Sequence, residues 1–315
     1  MTILQLVAAF LTIFFVVKKL PGPRLYPILL AVLGLFCSEI WLYHIERGQV
    51  YIFFALFFSL GYYLYNASFR HHEFIAGLVG GLFIFFRPIA AVAALGFLLF
   101  GKWRWVSGCI TGFILGMLLF IAPQPKLWVD YILAMKEYNN ELLGKPQVVH
   151  RATFTLPDVV EGSNNLSKVT EFDQHGLWSI YGYLNIYKIR FNNTHSVLLY
   201  FSLITALSIA FYRQRRTHQS PQLLYLFGFL IYILAEVCML VPRNGYNTVQ
   251  WIFALPLLYS MLSNSRALIY ILIALLLFLH NFPFHLTFQV AIAEIGLIGL
   301  AGYAIFFKEK KWFQA

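Results

Sequence analysis

Residues Phe74–Trp105, with the sequence FIAGLVGGLFIFFRPIAAVAALGFLLFGKWRW, decide the fold of this chain. The stretch runs from a basic turn at 70–72 to a second basic turn at 102–104. Basic turns favour the cytoplasmic side of a membrane, so both ends of the stretch are expected there. Arg87-Pro88 lies midway, and proline interrupts a helix interior. The stretch therefore predicts a broken or re-entrant helix pair over residues 74–100. A single long kinked span is the alternative, and it would break the charge rule.

The composition around this stretch is that of a membrane protein. Of the 315 residues, 60% are hydrophobic and only 11% are charged, and the mean hydropathy is +0.71. A soluble domain carries about 25% charged residues. This composition excludes a soluble globular enzyme, a disordered chain and a nucleic-acid-binding domain, so no nucleic acid is expected as a partner. Backbone groups in lipid must be satisfied internally, which makes helices the expected spans.

Apolar runs divide the chain into membrane helices on either side of one long polar loop. At about 20 residues per span, they predict an all-α polytopic membrane protein with about nine spans plus the broken pair. N-terminal membrane helices are expected in residues 1–122, an extracytoplasmic loop with interfacial helices in 123–193, and C-terminal membrane helices in 194–315. Within the loop, apolar residues at helical spacing predict an amphipathic helix over Leu127–Glu141. The apolar runs are Ile3–Val17, Leu25–Ile45, Val50–Tyr65, Phe74–Phe100, Trp105–Ala122, Thr194–Tyr212, Pro221–Val241, Thr248–Leu262, Ala267–Phe282 and Leu286–Phe307.

The net charge of +10 is largely explained by orientation. Threading the helices in order places most basic turns on one face, which the positive-inside rule makes cytoplasmic, together with the C-terminus. The short loops opposite carry only Arg47 and Arg243. The basic residues on the cytoplasmic face are Lys18, Lys19, Arg24, Arg70, Lys102, Arg104, Arg213, Arg215, Arg216, Arg266, Lys308, Lys310 and Lys311.

Two charged or amide-rich positions in the first half of the chain are candidate binding groups. Arg87 is expected at the apex of the broken pair, where its guanidinium could grip phosphate oxygens or reach to the interface. Glu46 and Gln49 lie between two spans on the extracytoplasmic side, where they form either a polar turn or a site for a hydroxyl-rich ligand.

A third candidate is the outer loop that contains Arg243, Asn244 and Asn247. Amides suit sugar hydroxyls and the cation suits phosphate, although a plain polar turn explains the composition equally well. Acids are the fourth class, because an ionisable group inside a span is costly and often functional. They are Glu39, Glu236 and Glu294 within spans, and Asp130, Glu137 and Glu141 on the outer helix.

Metal chemistry is not indicated. Cys37, Cys109 and Cys238 lie in apolar runs without ligand spacing, and the histidines form no cluster. No metal or other cofactor is expected.

Two segments resemble glycosyltransferase family 87. The first is GQVYIFFALFFSLGYYLY, residues 48–65, which a basic turn joins to the stretch quoted above. A Gly-Gln pair, a glycine-rich segment, a basic residue before proline and a basic cytoplasmic turn follow in the family's order. Here these are Gly48-Gln49, Ala76-Gly77 with Gly80-Gly81, Arg87-Pro88 and Lys102–Arg104. The second segment is VPRNGYNTVQWIFALPLL, residues 241–258, in which Pro242, Trp251 and Pro256 fit the family pattern.

The resemblance implies a GT-C-like helical bundle and a metal-independent transfer of a sugar of the mannose class from a polyprenyl-phosphate donor. The acceptor, a lipid or glycan, would lie outside a bacterial cytoplasmic membrane. By this analogy Arg87 or Arg243 holds the phosphate and Gln49 helps to bind sugar. The family's catalytic Asp lies in a loop upstream of every matched motif, so Glu46 or Asp130 is expected to replace it as the base.

The sequence is also compatible with other functions. The chain could be a shortened relative, or one completed by a partner protein that supplies N-terminal spans. It could also be a transporter or flippase for a lipid-linked glycan, or an inactive membrane scaffold of the same fold. Transporters usually show inverted repeats, and none is visible here.

Overall fold

A computed structural model of the protein describes residues 1–21, 24–36, 38–46, 48–142, 193–216, 219–238, 245–262, 271, 273 and 286–307. These residues form helices and no strands. The α-helices are α1 (Thr2–Lys18), α2 (Leu25–Phe36), α3 (Glu39–Glu46), α4 (Tyr51–Tyr65), α5 (His72–Phe86), α6 (Leu95–Leu99), α7 (Trp103–Gly116), α8 (Pro125–Leu142), α9 (Asn193–Arg215), α10 (Pro221–Cys238), α11 (Ala254–Leu262) and α12 (Leu286–Phe306). Tighter 3₁₀ segments cover Pro88–Ala94 and Gly245–Ile252, and a π-helical turn at Met117–Ile121 extends α7.

The all-helical prediction is confirmed for the described residues, but a count of about nine spans is not supported. Three helices are long and apolar enough to cross a membrane, namely Trp103–Ile121, Thr194–Arg215 and Pro221–Cys238. Five further apolar helices are shorter: Thr2–Lys18, Tyr51–Tyr65, His72–Phe86, Pro88–Leu99 and Val290–Phe306. Some predicted spans are interrupted, because the run Leu25–Ile45 divides into α2 and α3, and the run Thr248–Leu262 starts as a 3₁₀ segment. Most of the run Ala267–Phe282 lies outside the described residues.

The chain reverses direction at Arg87-Pro88. Helix α5 ends at Phe86, and Arg87 leaves helical geometry with φ −138° and ψ 84°. At the end far from this turn, where α5 begins and α6 ends, the rings of His72 and Phe97 lie 6.0 and 5.8 Å from the ring of Tyr65. The start of α5 and the end of α6 therefore lie beside the same residue, and Arg87 stands at the apex between them.

Glycines let α5 and α7 pack backbone to backbone. An added Cβ at Gly77 or Gly81 of α5, or at Gly108 or Gly112 of α7, would overlap the backbone of the facing helix. In each helix the two glycines are four residues apart, the small-residue spacing that allows membrane helices to approach closely. The two helices run parallel, as expected when a short reversing segment joins them.

Helix α10 forms the centre of the bundle. Every residue from Leu223 to Cys238 is buried, and α10 packs against the segment Pro88–Ala94, α4, α6, α9, α11 and α12. Near its middle, Phe229 meets Phe58 of α4 and Phe253 at ring distances of 5.3 and 5.4 Å. This aromatic packing fixes the height of the polar residues in the last turns of α10.

A helix outside the bundle follows α7. Helix α8, Pro125–Leu142, includes the predicted amphipathic helix Leu127–Glu141. Several of its apolar side chains are exposed, among them Leu127, Ile132 and Leu133. Trp128 packs against Phe85 at 5.7 Å, so α8 starts near the end of α5 that leads to Arg87.

Candidate functional site

A charged pair links Arg87, at the apex of the hairpin formed by α5, the segment Pro88–Ala94 and α6, to the central helix α10. Arg87 Nη2 lies 2.9 Å from Glu236 Oε1, and the two residues are 149 positions apart in the sequence. The Glu236 side chain is 1% exposed and that of Arg87 is 23% exposed. A charge taken out of water requires a partner, and each of these side chains supplies the other with one.

The carboxylate of Glu236 is fixed by two further donors. Tyr232, one turn earlier on α10, donates its hydroxyl to Oε1 at 2.6 Å. Gln250, on the segment Gly245–Ile252, donates Nε2 to Oε2 at 3.1 Å. Both oxygens therefore accept hydrogen bonds, and the carboxylate is held from three elements at once.

The guanidinium of Arg87 lies beside two aromatic rings of α4 and has a donor without a hydrogen-bond partner. Its carbon Cζ is 5.7 Å from the ring centre of Tyr51 and 5.8 Å from that of Phe54, both on α4. Cation–π contacts of this kind fix the plane of a guanidinium. Arg87 Nε is buried without a hydrogen-bond partner. An arginine has five N–H donors, so Arg87 retains capacity to bind an anion.

Two buried amides next to Glu236 also have unused polar atoms. Gln250 Nε2 bonds the backbone oxygen of Asn247 at 3.1 Å, which joins Asn247 to the same hydrogen-bonded group. Both side chains are fully buried, yet Asn247 Oδ1, Asn247 Nδ2 and Gln250 Oε1 lack partners. A buried polar atom without a partner costs about 1–3 kcal/mol, so a cluster of them indicates a place for a polar ligand or water.

The turn that precedes Tyr51 is anchored to α1. Gln5 Nε2 donates to the backbone oxygen of Gln49 at 2.7 Å. His44 Nε2 accepts a hydrogen bond from the backbone N–H of Ile52 at 3.3 Å. Gly48 has φ +60°, a value that favours glycine, and this allows the chain to turn sharply into α4. The anchoring positions Tyr51 against Arg87.

The predicted site residues fall into three groups. Arg87 and Asn247 belong to the hydrogen-bonded group around Glu236, and half-buried Gln49 precedes Tyr51 by two residues. Glu46 and Asp130 are exposed at the end of α3 and on α8. The segment that carries Asn247 packs against α3, so Glu46 belongs to a neighbouring element. Arg243 and Asn244 lie outside the described residues.

The sequence does not identify Tyr232 or Gln250 as site residues. It identifies Glu236 only as one of several acids within the predicted spans. One usable signal existed, because Tyr232 and Glu236 are four residues apart in an apolar run and share a helix face. The partnership of Glu236 with Arg87 has no sequence signal.

A second buried acid lies on α12. Trp251 Nε1 donates to Glu294 Oε1 at 2.8 Å, and both side chains are buried. The adjacent residues Gln250 and Trp251 thus contact different acids. Within the described part of the chain, no group of His, Cys, Asp and Glu side chains could hold a metal ion.

Comparison with protein-family models, curated proteins and solved structures finds no match for this chain. The functional conclusion therefore depends on the residues themselves.

Proposed function

We propose that this protein is an integral-membrane glycosyltransferase that moves a sugar, of the mannose class, from a polyprenyl-phosphate donor to a lipid or glycan acceptor. One observation carries the proposal. Arg87, a cation with an unused buried donor, lies in one hydrogen-bonded group with two amides that have unpartnered polar atoms. A phosphate next to a sugar offers the charge and the hydroxyls that such a group can satisfy.

Each part of the donor then has a residue to bind it. Arg87 holds the phosphate through donors that Glu236 does not use. Asn247 and Gln250 receive the sugar hydroxyls, and Gln49 contributes from the neighbouring turn. Arg243 and Asn244 are proposed to bind the donor as well.

The transfer requires a base on the acceptor side. Glu46 is the first choice, because it is exposed and its helix packs against the segment that carries Asn247; exposed Asp130 is the alternative. The carboxylate removes the proton of the acceptor hydroxyl as its oxygen bonds to the anomeric carbon of the sugar. The bond from that carbon to the phosphate oxygen breaks, and its electron pair leaves on the phosphate. Arg87 stabilises the charge that develops there.

The location follows the membrane character of the chain. Three described helices are suited to span a membrane. We place the protein in a bacterial cytoplasmic membrane as a multi-pass protein with a cytoplasmic C-terminus. Helix α8 then lies on the outer face, where an acceptor is met.

A transfer assay in proteoliposomes tests the proposal. Wild-type protein with radiolabelled polyprenyl-phosphate mannose and a membrane glycolipid fraction should give labelled product. Arg87→Lys should reduce the rate at least about 100-fold, because lysine keeps the charge but loses the planar set of donors.

Arg104→Ala is the matched control, because Arg104 is exposed near the opposite end of the hairpin. It should transfer at the wild-type rate. If Arg87→Lys transferred sugar at the wild-type rate, Arg87 would not bind the donor phosphate. If wild-type protein transferred no sugar from any polyprenyl-phosphate donor, the proposal would be overturned.

A further inference from the structure

We infer that Glu236 sets the specificity of the Arg87 site, by removing the preference for a phosphomonoester over a phosphodiester that Arg87 alone would give. This rests on the proposed function, in which the donor is a phosphodiester and the lipid product is a phosphomonoester. Glu236 would thereby promote release of the product after each transfer.

The geometry places Glu236 beside any phosphate that Arg87 binds. Its Oε1 is 2.9 Å from Arg87 Nη2, so an anion on the remaining donors of the same guanidinium lies within a few ångströms of the carboxylate. The carboxylate cannot turn away freely, because Tyr232 and Gln250 hold it independently of Arg87. A bound phosphate therefore meets a fixed positive charge and a fixed negative charge together.

The two lipids differ in charge. A phosphodiester carries one negative charge at neutral pH, whereas a phosphomonoester has a second ionisation near pH 6 and carries −1.5 to −2 at pH 7. For the second charge, attraction to Arg87 is opposed by repulsion from Glu236. Charge interactions are strong in a site of low dielectric constant, so this cancellation removes most of the advantage that a bare arginine would give the product.

Other titratable groups around Arg87 do not supply a competing charge. Tyr51 of α4 faces the guanidinium through its ring, and Tyr232 of α10 donates to Glu236. The segment Gly245–Ile252 contributes the neutral amides Asn247 and Gln250. Among the described residues that contact Arg87, Glu236 is the acid.

Binding measurements with two matched lipids test this inference without any transfer. Farnesyl phosphate and its methyl ester have the same chain and differ in the second charge. Their affinities for the full-length protein in neutral detergent are measured between pH 5 and pH 8. For wild type, the ratio of monoester to diester affinity should change less than about three-fold over this range. For Glu236→Gln, which keeps the shape of the side chain, the ratio should rise on the order of ten-fold as the second proton leaves.

The control is Glu294→Gln, which neutralises a buried acid that contacts Trp251. Its ratio should follow wild type. A ratio in wild-type protein that rises ten-fold overturns the inference without any variant, as does a Glu236→Gln ratio equal to wild type in variant protein that still binds the methyl ester. If Arg87→Lys binds both lipids as wild type does, phosphate does not bind at Arg87, and the proposed function fails as well. If binding needs Arg87 but Glu236→Gln leaves the ratio unchanged, only the inference fails.

Discussion

Arg87 and Glu236 are 149 residues apart in the chain and 2.9 Å apart in space, and their contact ties the apex of the hairpin to the last turn of α10. The pair lies where α5, the segment Pro88–Ala94 and α10 meet. Removing one partner leaves a charge buried without compensation.

The first prediction concerns the stability of this pair. Arg87→Met should lower the free energy of unfolding by about 3–5 kcal/mol, because Glu236 then remains buried and charged. The double variant Arg87→Met with Glu236→Leu should recover most of that loss, because no charge is left. Unfolding in mixed micelles with increasing denaturing detergent measures both values. A double variant as unstable as the single one would contradict the charge argument.

The second prediction concerns the donor from Tyr232. Tyr232→Phe removes a hydrogen bond to a buried carboxylate and should lower the free energy of unfolding by about 1.5–3 kcal/mol. Tyr200→Phe is the matched control, because the Tyr200 hydroxyl donates to the neutral backbone oxygen of Ile231 at 3.1 Å. That change should cost about 0.5–1.5 kcal/mol. Equal losses in the two variants would indicate that Glu236 is not charged.

The third prediction separates stability from function at Asn247. Asn247→Leu keeps the branched shape of the side chain and replaces two unpartnered polar atoms, so it should raise the free energy of unfolding by about 1–2 kcal/mol. The same variant should slow sugar transfer by at least about ten-fold, because the amide is proposed to bind the sugar. Thermal unfolding in detergent and the transfer assay provide the two readouts.

Gln250→Leu is the comparison for this prediction. Gln250 Nε2 bonds Glu236 and the backbone of Asn247, so its loss should destabilise the protein. If Asn247→Leu also destabilised the protein, its amide would have partners in solution, and the proposed sugar contact would be wrong.

The fourth prediction concerns the glycine interface. Gly112→Ala places a methyl group against the backbone of Leu78 and should destabilise the protein by about 1–3 kcal/mol. Gly299→Ala on α12 meets open space and should instead stabilise the protein by up to about 1 kcal/mol through helix propensity. Unfolding temperatures of the two variants in the same detergent give the comparison. Similar shifts for both would show that α5 and α7 are not in backbone contact.

The fifth prediction concerns the direction of the hairpin. The single variants His71→Cys and Lys102→Cys are made in protein whose native cysteines have been replaced. Both should react with a membrane-impermeant thiol reagent from the same side of sealed vesicles. The variant Gln124→Cys should react from the opposite side, because the helix Trp103–Ile121 between Lys102 and Gln124 is long and apolar enough to cross a membrane. If the cysteines of these two variants reacted from opposite sides, residues 74–100 would form one long kinked span instead.

The sequence allowed more of the hairpin to be predicted than of the site. Pro88 and the basic turns on either side determine a break and a return, because both depend on local chemistry. Arg87 was singled out because an arginine inside an apolar run is costly. Its partner could not be assigned, since Glu39, Glu236 and Glu294 all satisfied the same sequence criterion. The count of about nine spans is not supported where apolar runs form short helices, because hydropathy measures composition and does not detect interruptions such as that between α2 and α3.

By itself the sequence determined that this protein is helical and suited to a membrane, and it predicted a break at Arg87-Pro88. These properties follow from hydropathy, proline geometry and the distribution of basic residues, which act over a few neighbouring positions. Only the tertiary structure decided that Glu236 neutralises Arg87, that Tyr232 and Gln250 hold the carboxylate, and that the Asn247 amide is left without a partner. Those outcomes depend on how distant helices pack around α10, and packing joins residues that no local pattern relates.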